Sequence, residues 1–169
     1  MKRFKLISWI AVVLWMGVIF SLSAQPASVS NELSKGITEI VIEAVEKVVP
    51  AGSLEVEDYN HYIRKNAHFF AYMLLGVLVA NALSAGDSRT VIANVVFAGV
   101  ICVGYAISDE IHQLFVPGRG AQVKDVLIDS GGAAVGIVLW LVVAVRMSDL
   151  RSRKRVRELG WTGAVGEKG

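Results

Sequence analysis

Ionisable and hydrogen-bonding side chains recur at helical spacing inside three long apolar stretches of this chain. Lys65, His68 and Tyr72 follow one another at intervals of three and four, with Arg64 adjacent. Tyr105, Asp109 and Gln113 are four apart, with Glu110 next to Asp109 and three residues before Gln113. Asp125 and Asp129 are four apart, just after Arg119 and Lys124. On a helix, residues three and four apart share a face, so each set forms one polar stripe. Arg64, Arg119 and His68 suit a phosphate or carboxylate, because a guanidinium meets either anion with two parallel hydrogen bonds. Neighbouring carboxylates split their protonation equilibria, so Asp109 or Glu110 could act as general acid or base with His68 as proton carrier. Arg64 and Arg119 would then stabilise anionic charge. Carboxylates with a histidine can also hold a divalent cation, but there is no HExxH-type spacing and no metal ligand or cofactor is assigned on this basis. No GxSxG nucleophile motif is present.

The same residues have a plainer use. Arg64, Lys65, Arg119 and Lys124 balance Asp109, Glu110, Asp125 and Asp129, so the set could simply pair internally where lipid offers no hydrogen bonds. Two adjacent acids beside an amide, facing a histidine and an arginine, exceed what pairing requires. The expectation is a binding site.

The elements that position these groups follow from composition. A length of 169 residues allows one domain on a guide of about 150. Apolar residues make up 54% and charged residues 19%, outside the usual range of soluble domains. A net charge of +2 gives no global field for nucleic acid, and Cys102 alone can form neither an internal disulfide nor a cysteine cluster for zinc. Crossing about 30 Å of hydrocarbon takes about 20 apolar residues as helix. Four windows qualify, at about residues 6–24, 64–86, 91–116 and 123–145. The predicted fold is all-α: a polytopic membrane protein with a bundle of four transmembrane helices in a single domain, residues 1–145, followed by a basic tail, residues 146–169. The first window also resembles a secretory signal, with Lys2, Arg3 and Lys5 before it and Ser21-Leu-Ser-Ala24 at its end. Its apolar core exceeds the usual 7 to 15 residues, which favours an uncleaved span.

Lys and Arg in the connections set orientation. Eleven fall in the N-terminal arm, at Arg89 and in the tail, against six on the other side, where seven acids between Glu32 and Asp58 offset them. Both termini are therefore expected in the cytoplasm. Residues 31–49 carry an apolar stripe from Leu33 to Val48, predicting an outer amphipathic helix between spans one and two. It is expected to lie across the outer ends of the spans or to act as a lid. Gly132 to Gly136 and Gly76 to Ala80 are small-residue patterns expected to pack within the bundle. Trp161 to Gly169, with three glycines, is expected to fray. With this topology Arg64, Lys65, His68, Tyr72, Asp109, Glu110, Gln113, Arg119, Asp125 and Asp129 converge on one outer pocket.

Three ordered segments complete the reading: Arg64-Lys-Asn-Ala-His68-Phe-Phe-Ala-Tyr72-Met-Leu74, Ser108-Asp-Glu-Ile-His-Gln113-Leu-Phe-Val-Pro117-Gly-Arg119, and Asp125-Val-Leu-Ile-Asp129-Ser-Gly-Gly132 leading to Gly136. Together they resemble the VanZ-like family of small bacterial membrane proteins over roughly residues 60–140, while span one agrees in kind without a motif. His68, Tyr72, Asp109, Glu110, Gln113, Arg119 and Asp125 match the family pattern. Asp129 stands where many members carry asparagine, which adds an acid to the pocket. The resemblance implies a multi-pass protein of the bacterial inner membrane and, through the family's namesake, a link to resistance against teicoplanin-type glycopeptides. The expected function is an envelope membrane protein whose outer pocket binds a lipid headgroup, a cell-wall precursor or an amphipathic antibiotic. The alternative is an enzyme acting on a phospholipid or polyprenyl-linked substrate by carboxylate and histidine acid–base chemistry. Coupled transport finds little support in four spans without paired broken helices. Membrane lipids and a cell-wall precursor or glycopeptide are the expected partners, nucleic acid is not, and the oligomeric state stays open.

Overall fold

The computed structural model describes the backbone of residues 2–30, 32, 35, 36, 56–85 and 90–165, and the side chains of residues 3–30, 32, 35, 36, 65–85 and 90–157. Four long helices account for most of them: α1 (Lys2–Ser23), α2 (Val56–Ser84), α3 (Val91–Gln113) and α4 (Val123–Val165). Residues 27–30 are also helical, and there is no strand among the described residues. Most of the predicted outer amphipathic helix, and Arg89, lie outside the described residues; residues 32, 35 and 36 of that segment are helical. Residues 1–137 form one compact unit and residues 138–169 a second.

Each helix contains a stretch long and apolar enough to cross a membrane: Arg3–Ser23, Lys65–Ser84, Val91–Gln113 and Val123–Arg157. The predicted windows fall on these stretches, and the differences are at their ends. Thr90 caps α3 by accepting a hydrogen bond from the Ala93 N–H. The helix stops at Gln113 rather than at residue 116, because Leu114, Phe115 and Val116 donate to carbonyls three residues back and tighten the last turn before Pro117. Gly118 then takes a φ of 75°, the left-handed conformation that reverses the chain. The α4 helix continues through the basic tail to Val165, so Trp161–Val165, expected to fray, is helical in backbone. Residues 146–157 contain neither proline nor glycine and five arginines, which favour helix, and Arg153 pairs with Asp149 at 3.1 Å one turn away.

Within the first unit, α1 packs on α2 and α3, and α2 packs on α3. Val12, Ile19, Leu75, Val79, Ala98, Cys102 and Ala106 fill the interior. Polar contacts tie the helices where lipid gives no hydrophobic drive for association. The Trp15 indole donates to the Ala71 carbonyl at 2.9 Å, and the Tyr105 hydroxyl donates to the Met16 carbonyl at 2.6 Å. Ile10, Val13 and Leu14 of α1 and Ile92, Val96 and Val100 of α3 are exposed. Apolar surface on that scale suits acyl chains rather than water. The chain is a multi-pass membrane protein.

The approach of α4 to α2 is closer still. A Cβ built on Gly132 would strike the Phe69 carbonyl oxygen, one on Gly136 the Met73 carbonyl oxygen, and one on Gly76 the Ala133 carbonyl oxygen. The small-residue patterns thus pack inside the unit. Gly131, beside Gly132, has open space at its Cβ position. Gly132→Ala and Gly136→Ala should each lower stability by about 1–3 kcal/mol through overpacking. Gly131→Ala should be neutral or slightly stabilising, and thermal unfolding of the three variants in one detergent checks the contrast.

Candidate functional site

Three helix ends and part of a fourth helix meet at one end of the first unit: the C-termini of α1 and α3, the N-terminus of α4, and the part of α2 that begins at Lys65. Between them lies a cleft with about 580 Å³ of empty space, open mouth included. Seven of the ten predicted site residues line it: Lys65, His68, Glu110, Gln113, Arg119, Asp125 and Asp129. Asp109 and Tyr72 are buried in the helices behind it. The Arg64 side chain lies outside the described residues. Lys124 is exposed and is not among the described residues that line the cleft.

The spacing of the polar residues explains each placement. His68 and Tyr72 are one turn apart on α2, and Lys65 lies a turn nearer the mouth. Lys65 pairs with Asp125 at 3.1 Å, with side chains 22% and 28% exposed, so water weakens that pair. One turn further in, His68 Nδ1 lies 3.8 Å from Asp129 Oδ2, and the Asp129 side chain is 1% exposed.

The two neighbouring acids of α3 have different surroundings. Asp109 accepts at Oδ2 from the Ser23 hydroxyl at 2.8 Å and from the Gln113 amide at 3.5 Å. Glu110 accepts at Oε2 from the Gln122 backbone N–H at 2.7 Å. The Gln122 carbonyl receives the Asp125 N–H at the start of α4, so Glu110 places negative charge at that helix N-terminus. Arg119 joins the turn to two helices, donating to Gln113 Oε1 and to the Leu22 carbonyl, each at 3.4 Å. The Ala27 N–H donates to the Pro117 carbonyl at 3.2 Å, a second link between the turn and the chain after α1.

His68, Asp109 and Asp129 each offer a nitrogen or oxygen atom, all within 4.8 Å of one another. Two ionised carboxylates that close repel by roughly 3 kcal/mol or more at an effective dielectric of 20. Positive charge or a shared proton must lie between them. This arrangement can hold a cation, share a proton, or receive the charged end of a ligand through the cleft.

Sequence reasoning missed Ser23, Gln122 and the backbone of Gly118 and Gly120, both of which line the cleft. Ser23 had a signal: a hydroxyl at the end of an apolar span, on the side where Asp109 would emerge. In the sequence the same serine also fits a cleavage-like pattern of small residues, which masks that signal. Gln122 acts through its backbone N–H, which residue type does not encode. Ser23→Ala should cost about 1–3 kcal/mol by leaving the buried Asp109 carboxylate short of a donor. Ser21→Ala, which removes an exposed hydroxyl bonded only to its own helix, should stay within about 0.5 kcal/mol in the same thermal assay.

The VanZ/LLP1 family model matches residues 8–144, which reaches into all four spans and includes every predicted site residue. No curated protein and no solved structure matches the chain. Match, helical architecture and the ordered polar motifs agree: the chain belongs to the VanZ-like family.

Proposed function

We propose that the protein binds the phosphate- or carboxylate-bearing headgroup of an amphipathic molecule, with the cleft at the outer face of the bacterial cell membrane. The carrying observation is the cleft itself, lined by Lys65, His68, Arg119, Asp125 and Asp129 at one end of helices whose apolar surfaces suit lipid. Lys65 and Arg119 offer cationic donors at the mouth, and Arg64 adjoins Lys65 in the chain. The excess of Lys and Arg in the N-terminal arm and tail supports cytoplasmic termini, and hence an outward cleft. A headgroup on an acyl or polyprenyl chain could enter from the bilayer with its tail against the exposed apolar residues. Lipids, cell-wall precursors and amphipathic glycopeptides all share this chemistry, and a role in glycopeptide resistance would follow from the last two.

Binding is favoured over acid–base turnover by the way the α3 acids are held. Glu110 is engaged with the Gln122 N–H and Asp109 with Ser23, so one oxygen of each acid is committed to holding the helices together.

The test is thermal unfolding of the detergent-solubilised protein with phosphatidylglycerol, undecaprenyl phosphate, lipid II or teicoplanin, against phosphatidylcholine. A bound probe at a hundredfold excess over its Kd should stabilise the wild type by about 2.7 kcal/mol. Lys65→Ala and Arg119→Ala should lose most of that gain. The reading fails if no probe stabilises the wild type beyond the phosphatidylcholine control, or if both variants respond as the wild type does.

A further inference from the structure

Behind the cleft, the donor atoms of His68 from α2, Asp109 from α3 and Asp129 from α4 converge within 4.8 Å. Asp109 and Asp129 are 2% and 0% exposed. Both oxygens of Asp129 and Oδ1 of Asp109 lack a hydrogen-bond donor. The Tyr72 hydroxyl, on a wholly buried side chain one turn after His68, also lacks a partner. Buried polar atoms are nearly always satisfied, and most of all those carrying charge. Here unsatisfied carboxylate oxygens from two helices lie close to one imidazole on a third.

The His68–Asp129 contact at 3.8 Å leaves all three of these carboxylate oxygens without a hydrogen bond. Lys65 is engaged with Asp125 nearer the mouth. Ser23 and Gln113 both donate to Oδ2 of Asp109, which fixes the carboxylate and leaves Oδ1 available. Metal-binding carboxylates are oriented in the same way by hydrogen bonds behind them. His68 is the least buried of the three, with 24% of its side chain exposed, so the group opens toward the cleft that His68 and Asp129 both line.

We propose that His68, Asp109 and Asp129 bind one divalent transition-metal cation. Imidazole nitrogen with two carboxylate oxygens suits Zn²⁺, Mn²⁺ or Fe²⁺, whereas Mg²⁺ and Ca²⁺ take oxygen-only sets. Two carboxylates cancel the charge of such a cation, so the neutral complex sits in an apolar bundle at far lower cost than the bare acids. Three protein ligands leave a coordination position open, as in catalytic zinc sites. That position faces the cleft and can receive water or an anionic oxygen. The ligands come from three separate helices, which is why no local metal motif marks them in the sequence. The cation site stands on these buried groups whether or not a headgroup binds above it.

The full-length protein, purified in detergent and stripped with chelator, is titrated with ZnCl₂ and with MnCl₂ by calorimetry, and bound metal is counted by mass spectrometry. No lipid probe is added, so this result and that of headgroup binding are read separately. The expected outcome is saturable uptake of about one ion per chain, with a higher melting temperature in the loaded protein and no displacement by MgCl₂. Asp129→Asn, close to isosteric, and His68→Gln should each weaken affinity at least about tenfold. Asp149→Asn, in the tail and paired with Arg153, should bind as the wild type does. If Asp129→Asn does not fold, His68→Gln, at the more exposed position, decides the matter. The proposal is overturned if folded wild type takes up neither cation saturably, if MgCl₂ displaces the ion, or if His68→Gln binds unchanged.

Discussion

The contact between α2 and α4 is the constraint on which the site depends. Gly132 lies over the Phe69 carbonyl and Gly136 over the Met73 carbonyl, so steps of one turn on one helix match steps of one turn on the other. The two helices therefore run in the same direction over this stretch. Continued toward the mouth, the same register brings Asp129 to His68 and Asp125 to Lys65. A side chain at Gly132 or Gly136 would push the helices apart and separate the charged pairs beyond them. The glycines are thus as much part of the site as the acids, although none of their atoms carries its chemistry.

The α1 helix, which has no motif of its own, completes the enclosure. Trp15 and the Met16 carbonyl fix it to α2 and α3 near its middle. That anchoring brings Ser23 to Asp109 and the Leu22 carbonyl to Arg119. Without α1, the Oδ2 side of Asp109 would lose its shorter hydrogen bond and the α3–α4 turn would lose the bond from Arg119 to the Leu22 carbonyl. A segment that reads from sequence as generic apolar helix is therefore tied directly to the polar centre.

How far the site could be read in advance follows from what helical spacing encodes. Lys65, His68, Asp125 and Asp129 were legible, because charges at intervals of three and four inside apolar runs must share a face, and alternating spans bring those faces to one end. The helical architecture was legible for the same reason. The division of labour between Asp109 and Glu110 was not. Adjacent helical residues point about 100° apart, and only packing decides that one meets Ser23 and the other the first turn of α4. Gln122 was hidden because a backbone N–H carries no side-chain signature. Lys124 was misleading for the opposite reason: its charge was visible, but its exposed place on α4 keeps it out of the lining.

Charge in a low-dielectric bundle connects these features to function. Each acid near the mouth has a partner that water or a helix end helps to support: Lys65 for Asp125, and the Gln122 N–H for Glu110. Asp109 and Asp129, deeper and almost without water, are held close by helices whose own contacts fix their spacing. The fold thus holds two carboxylates close together, with the glycine contact and the anchoring of α1 setting the helices that carry and cover them. Positive charge placed between them would relieve the repulsion and reverse the sign of the field facing the cleft. An anionic headgroup that the bare acids would repel could then be attracted, so the buried cation and the headgroup reading reinforce each other while remaining separable.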